Sequence, residues 1–166
     1  MDVTTSDDTT ITANTLLSNS TINPLQRFID AHETIYETVL SELTLGKKRT
    51  HWIWFIFPQI IGLPSKSVTS LFFSIKSKEE AIDYLNDSVL GSRLRQCTRL
   101  VIEIQDKSIS DIFGLGGDDI KFKSSMTLFN VVCKEKESIF KQALDKYFNG
   151  KEDLLTLEIL EKGLKE

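Results

Sequence analysis

Apolar side chains recur at helical spacing through most of the chain. The first stripe follows Asn23 and Pro24, which suit the cap and first position of a helix, and stops at Gly46, which suits a helix end. Its members are Leu25, Phe28, Ile29, His32, Ile35, Tyr36, Val39, Leu40 and Leu43. No two alternating segments are joined by a hairpin turn. The pattern predicts an all-α fold, a single compact domain of six to eight helices around one core.

The later helices are predicted from similar stripes and from their capping residues. They cover residues 78–87, 89–105, 119–133, 137–150 and 152–164, with shorter helical turns expected in 65–75 and 108–114. Ser77 and Glu80 form a capping-box pattern, and Asp118 or Asp119 is expected to cap the helix that follows the glycine-rich loop. Residues 101–104, VIEI, have strand propensity, but the 3.6-residue period around them favours a helix.

Composition limits the classes of protein that this chain can represent. Residues 1–22 are rich in Thr, Ser, Asp and Asn and predict a disordered tail, so the folded domain is expected in 23–166. A net charge of -4 argues against a general nucleic-acid binder. The chain has no run of 18 apolar residues and no signal-peptide pattern, so we expect no membrane association and a cytoplasmic or nuclear location. Cys97 and Cys133 belong to no C-x-x-C pair, and no metal or other cofactor is indicated.

The stretch GKKRTHWIWFIFPQ, residues 46–59, joins the most basic run to an aromatic-rich run. As a short helix capped by Thr50 and limited by Pro58, it would be apolar almost all round and would lie at the buried centre. Two interpretations remain open. In one, His51 and Gln59 brace neighbouring loops. In the other, they orient a ligand between aromatic walls, with the cations 47–49 at the mouth, which would suit a planar ring carrying an anionic group.

A second candidate stretch is DDIKFKSSMTLF, residues 118–129. Lys121, Ser124 and Ser125 lie at i, i+3 and i+4 and are predicted to face one way. Their hydroxyls could merely bond back to helix carbonyls, or the three side chains could complete an anion pocket with Arg49. His51 is the candidate general acid or base, with Asp119 as its partner if the two meet in space. A Ser nucleophile is not favoured, because no G-x-S-x-G pattern is present.

Several blocks stand in an order that resembles a known family. LQRFIDAH, the stretch 46–63, VLGSRLRQCT, DDIKFKSSMTLF and ALDKYFNG together resemble the family known as domain of unknown function 1810, over roughly residues 23–160. The resemblance implies a small helical protein and carries no established activity. Its blocks include Arg93, which becomes a better candidate than Arg95 of the same helix.

We therefore expect an intracellular helical domain that binds an anionic, nucleotide-like small molecule. The predicted ligand contacts are Arg49, Trp52, Trp54, Gln59, Arg93, Lys121, Ser124 and Ser125, and the catalytic candidate, for a hydrolytic or transfer reaction, is His51. Whether the protein is an enzyme stays open. The alternative is a non-catalytic protein-interaction module with a groove between helices.

Overall fold

Helices make up the regular structure in a computed structural model that describes residues 22–65 and 67–163. Within these ranges no strand forms, and there is one isolated bridge between single residues. The helices are α1 Gln26–Thr44, α2 Ile53–Ile56, α3 Val68–Phe72, α4 Lys78–Asn86, α5 Leu90–Glu103, α6 Ile109–Phe113, α7 Asp118–Val132, α8 Ile139–Phe148 and α9 Leu154–Gly163. The all-α prediction is confirmed. The described part holds nine helices rather than six to eight because α2, α3 and α6 are single turns of four or five residues. The predicted tail, apart from Ile22, lies outside the described residues.

Several helix ends follow the sequence signals. Gly46 adopts a φ of 74° just after α1, a conformation that favours glycine, and so ends the helix. Ser77 Oγ accepts the Glu80 N–H at 3.1 Å, which is one half of the predicted capping box. The other half does not form, because the Glu80 carboxylate pairs with Arg27 at 2.5 Å instead.

The start of α7 differs from the prediction. Gly117 is its N-cap and no side chain caps it, so the expected cap by Asp118 or Asp119 is wrong. Both aspartates lie in the first turn, and the Asp118 carboxylate bonds to Lys48 and Lys121. The carboxylates still favour this end of the helix, because negative charge is stabilised near a helix N-terminus.

The aromatic run occupies the centre of the core, as its composition predicts. Trp52, Ile53, Ile56 and Phe57 are buried, and the Phe57 ring packs edge-on against Phe122 of α7 at 4.9 Å between centroids. The longer helices α1, α5 and α7 pack against the helical turn of this run. The stretch therefore folds as one short turn flanked by buried loop residues.

Two contacts hold the segment from 59 to 75 against the helices. Ile60 and Ile75 form a parallel bridge in which the Ile61 N–H donates to the Ile75 carbonyl and the Ile75 N–H donates to the Gln59 carbonyl, each at 2.8 Å. Arg27 Nε and Nη2 donate to the carbonyls of Phe72 and Ser74, each at 2.9 Å. Since no residue of α3 is buried, these contacts to its flanks fix its position.

Candidate functional site

A cavity of about 410 Å³ lies between the segment 59–74 and the first turns of α7 and α9. Its wall is formed by Trp54, Gln59, Ile60, Ile61, Gly62, Leu63, Pro64, Ser65, Ser70, Leu71, Phe73, Ser74, Gly117, Ile120, Lys121, Ser124, Asp153 and Leu155. Most of these side chains are apolar. The described polar groups are an amide, four serine hydroxyls, one ammonium and one carboxylate, a lining typical of small-molecule sites.

Four predicted ligand contacts meet in this cavity, namely Trp54, Gln59, Lys121 and Ser124. Lys121 Nζ lies 5.7 Å from the centroid of the Trp54 ring, within the range of a cation–π contact. Ser124 Oγ donates to the Ile120 carbonyl at 3.1 Å, so its lone pairs remain available to a donor. The helix stretch 118–129 and the aromatic run thus contribute residues to the same cavity.

The other five predicted residues do not line the cavity. Arg49 and His51 are exposed on the loop before α2. Because α2 begins at Ile53, His51 does not share a helical face with Trp54. Trp52 and Ser125 are fully buried in the core, and the Ser125 hydroxyl finds no partner among the described residues.

Arg93 lies on α5, with its guanidinium carbon 4.4 Å from the centroid of the Tyr36 ring. Like the other four, it is absent from the cavity wall. The single pocket expected from the sequence therefore holds four of its nine predicted residues.

Glu42 explains why the basic loop turns away from the cavity. This buried carboxylate of α1 accepts hydrogen bonds from the backbone N–H groups of Arg49 and Thr50, the latter at 2.7 Å. It also accepts the Thr50 hydroxyl at 2.7 Å and the Trp52 indole N–H at 3.3 Å. Burial by itself raises the pKa of Glu42, but these donors outweigh it and lower the pKa below its usual value. Glu42 thus fixes the backbone of residues 49–52 and leaves the Arg49 side chain in solvent.

Lys48 points inward and meets the cavity edge through Asp118. Its Nζ lies 2.8 Å from Asp118 Oδ2 and 5.1 Å from the centroid of the Trp52 ring, and the other carboxylate oxygen lies 3.0 Å from Lys121 Nζ. Burial opposes ionisation of Asp118, but the two ammonium groups outweigh it and lower its pKa. Three charged groups therefore form a chain from the basic run to the cavity.

His32 is a core histidine, as its place in the first stripe suggests. Its Nε2–H donates to the Phe55 carbonyl at 2.6 Å, and the Tyr84 hydroxyl donates to the same oxygen at 3.3 Å. His32 Nδ1 has no partner within the described ranges. Burial, aided by the Arg93 charge, lowers the pKa of His32 to about 4, so the ring is neutral at physiological pH.

Both cysteines are free thiols, and the described residues contain no group of three or more His, Cys, Asp or Glu side chains that could hold a metal ion. No helix in the described ranges is long and apolar enough to cross a membrane.

Sequence reasoning missed most of the cavity wall. Residues 60–65 and 70–74 supply its outer side, and Asp153 supplies a carboxylate. Asp153 Oδ2 accepts the backbone N–H and hydroxyl of Thr156, so it caps α9 while it lines the cavity. The available signal was Gly62 and Pro64, which mark a loop directly after the aromatic run.

The fold and the cavity together define a small helical domain with a concave site of about 410 Å³. A family model described as Protein of unknown function (DUF1810) matches residues 22–160, and the chain belongs to this family. It is also similar to the conserved hypothetical protein Rv1873 from Mycobacterium tuberculosis, known from a crystal structure at 1.38 Å. Identity is 44%, the TM-score is 0.79, and the match covers 82% of this chain and 96% of the other. No curated protein matches the chain.

Proposed function

We propose that the cavity binds an anionic, nucleotide-like small molecule. The observation that carries this proposal is the meeting of Trp54, Gln59, Lys121 and Ser124, predicted from two separate stretches, in one cavity of about 410 Å³. That volume falls within the range of sites that enclose small ligands, roughly 300–1,000 Å³.

Three of these side chains, together with Phe73, offer contacts that suit such a ligand. The Trp54 and Phe73 rings offer flat apolar surface for a planar ring. Lys121 offers a charge to an oxyanion, while Gln59 can both donate and accept hydrogen bonds. The proposal assigns binding without a reaction, because His51 is exposed and does not line the cavity.

A thermal-shift screen against nucleotides, nucleotide sugars and simple carboxylates tests this function. A ligand at 100 times its dissociation constant stabilises the fold by about 2.7 kcal/mol, which should raise the melting temperature by roughly 5–10 °C in a domain of this size. Lys121→Met should abolish the shift because it removes the ammonium and keeps most of the aliphatic stem.

Lys123→Met is the matched control. Lys123 lies on the same helix, but its ammonium packs over the Phe148 ring at 5.7 Å and does not line the cavity. A ligand whose shift survives in Lys121→Met, or is lost equally in both variants, would contradict the proposed site.

A second candidate, the protein-interaction module, is favoured by the mouth of the cavity. Ile61, Leu71, Ile120 and Leu155 line the cavity and are also exposed. Such a rim could receive an apolar peptide. A screen without any ligand shift, combined with saturable binding of displayed peptides that Leu71→Ser weakens, would support this candidate over the first.

A further inference from the structure

Two lysines share one carboxylate at the edge of the cavity. Asp118 lies 2.8 Å from Lys48 Nζ and 3.0 Å from Lys121 Nζ. The trio therefore holds two positive charges and one negative charge, which leaves one positive charge uncompensated. Side-chain exposure is 6% for Lys48, 18% for Asp118 and 28% for Lys121. Since Lys121 also lines the cavity, it is the member that can meet a ligand.

We propose that this site selects an anionic group with a single negative charge, such as a carboxylate or a phosphodiester, over a doubly charged phosphomonoester. The proposal rests on the proposed function and adds the charge of the ligand. One negative charge at Lys121 would neutralise the trio. A second charge on the same group would lie about 6 Å from the Asp118 carboxylate with no further cation among the described lining residues.

The other charged group of the described wall acts in the same direction. Asp153 brings a second carboxylate to the cavity, and its Oδ2 already accepts two hydrogen bonds from Thr156, at 3.0 Å and 2.5 Å. Among the described lining residues a dianion at Lys121 would therefore meet one ammonium and the Asp153 carboxylate, with the Asp118 carboxylate and its partner Lys48 behind Lys121. A monoanion at Lys121 meets half this repulsion and half the attraction to the ammonium groups, and its much lower cost of desolvation then decides in its favour.

Isothermal titration calorimetry with two matched pairs of probes tests this charge selection on the full chain at pH 8. One pair is 3′,5′-cyclic AMP and AMP, and the other is 2-naphthoate and 2-naphthyl phosphate. Phosphomonoesters are doubly charged at this pH, since their second pKa is about 6. We expect the monoanion of each pair to bind tighter. The adenylate pair compares a phosphodiester with a phosphomonoester, and the naphthyl pair compares a carboxylate with a phosphomonoester.

Charge variants test whether the trio is the cause. Asp118→Asn should shift the preference about tenfold toward the dianion, the effect of one unit charge at about 6 Å with an effective dielectric constant of about 40. Lys48→Met should shift the preference in the opposite direction by a similar factor. Asp145→Asn is the control, since Asp145 pairs with Lys141 outside the cavity wall, and should leave the preference unchanged.

The outcomes separate this inference from the proposed function. If no probe binds, or if Lys121→Met leaves binding intact, both fail. If the probes bind through Lys121 but the dianions bind as well as the monoanions, or neither trio variant moves the preference, the charge selection alone fails.

Discussion

Replacing Glu42 of α1 with Gln should release the basic loop that it anchors and should destabilise the protein. The Glu42 carboxylate receives the backbone N–H groups of Arg49 and Thr50, the Thr50 hydroxyl and the Trp52 indole. An amide in its place keeps one oxygen for the two backbone donors. The NH2 group of the new amide would face two former donors. The Thr50 hydroxyl can rotate and accept from it, whereas the Trp52 indole N–H can only donate and would lose its acceptor.

The expected loss follows from these bonds. Hydrogen bonds to a charged group contribute about 1.5–3 kcal/mol and neutral ones about 1 kcal/mol, and a buried donor left without its partner costs about 1–3 kcal/mol. Two weakened backbone bonds and one impaired indole bond give a loss of roughly 2–4 kcal/mol in the free energy of unfolding. For a domain of this length that corresponds to a melting temperature lower by about 5–15 °C.

The assay is urea unfolding followed by tryptophan fluorescence, with Glu33→Gln as the control. Glu33 is exposed on the same helix, so its variant should change the free energy by less than about 0.5 kcal/mol. An equal, small effect of both substitutions would refute the view that Glu42 organises the loop.

Acidic pH should remove the difference in unfolding free energy between wild type and Glu42→Gln. Although burial raises the pKa of Glu42, its hydrogen bonds lower it below the usual 4.5. A carboxyl with a lowered folded-state pKa adds stability above its unfolded pKa, and that stability disappears as the pH falls through the folded value. The gap between wild type and Glu42→Gln should therefore narrow below about pH 4.5, and a gap that stays constant down to pH 3 would contradict the assignment.

Three further predictions concern the core and use unfolding free energies as the measurement. Gly91→Ala should cost about 3 kcal/mol or more, because its Cβ would collide with the Leu85 carbonyl, whereas Gly116→Ala, with no neighbour within 4 Å, should change stability by less than about 0.5 kcal/mol. Burial lowers the pKa of His32 from 6.5 to about 4, so between pH 6.5 and pH 4 the imidazole is protonated in the unfolded chain and neutral in the folded protein. Wild type should lose roughly 3 kcal/mol relative to His32→Gln between pH 6.5 and 4. Ser125→Ala should raise stability by about 1 kcal/mol, because the buried hydroxyl has no partner in the described structure.

The helices were predictable wherever a periodic stripe was long enough to decide the structure. Residues 101–104 have strand propensity, yet α5 continues through Glu103 because its stripe packs against α1 and α8. The aromatic run was harder to predict, because a segment that is apolar all round has no periodicity to read. Its burial follows from composition, while its single helical turn depends on the Glu42 contacts and on Pro58.

Part of the cavity wall was predictable, because two of its residues lie on a helix whose periodicity sets which side chains share a face. Lys121 and Ser124 share a helical face, so their meeting follows from spacing. Ser125 lies one residue further, and that rotation carries it into the core, where it is fully buried. Residues 60–65 carry no periodic pattern, and their place in the wall depends on the bridge between Ile60 and Ile75. A contact between residues that are 15 positions apart in the chain produces no periodic pattern from which it could be predicted.

The basic run and the aromatic run are adjacent in sequence but have separate roles. Glu42 of α1 fixes the backbone between them, so Arg49 stays in solvent while Trp52 enters the core. Lys48 is the member of the basic run that pairs with Asp118, which in turn pairs with the cavity-lining Lys121. Under the proposed function, the charge of the basic run would act on a ligand through the Asp118 carboxylate without direct contact. If the proposed function holds, substitutions of Lys48 should change which anion binds, whereas substitutions of Arg49 should not.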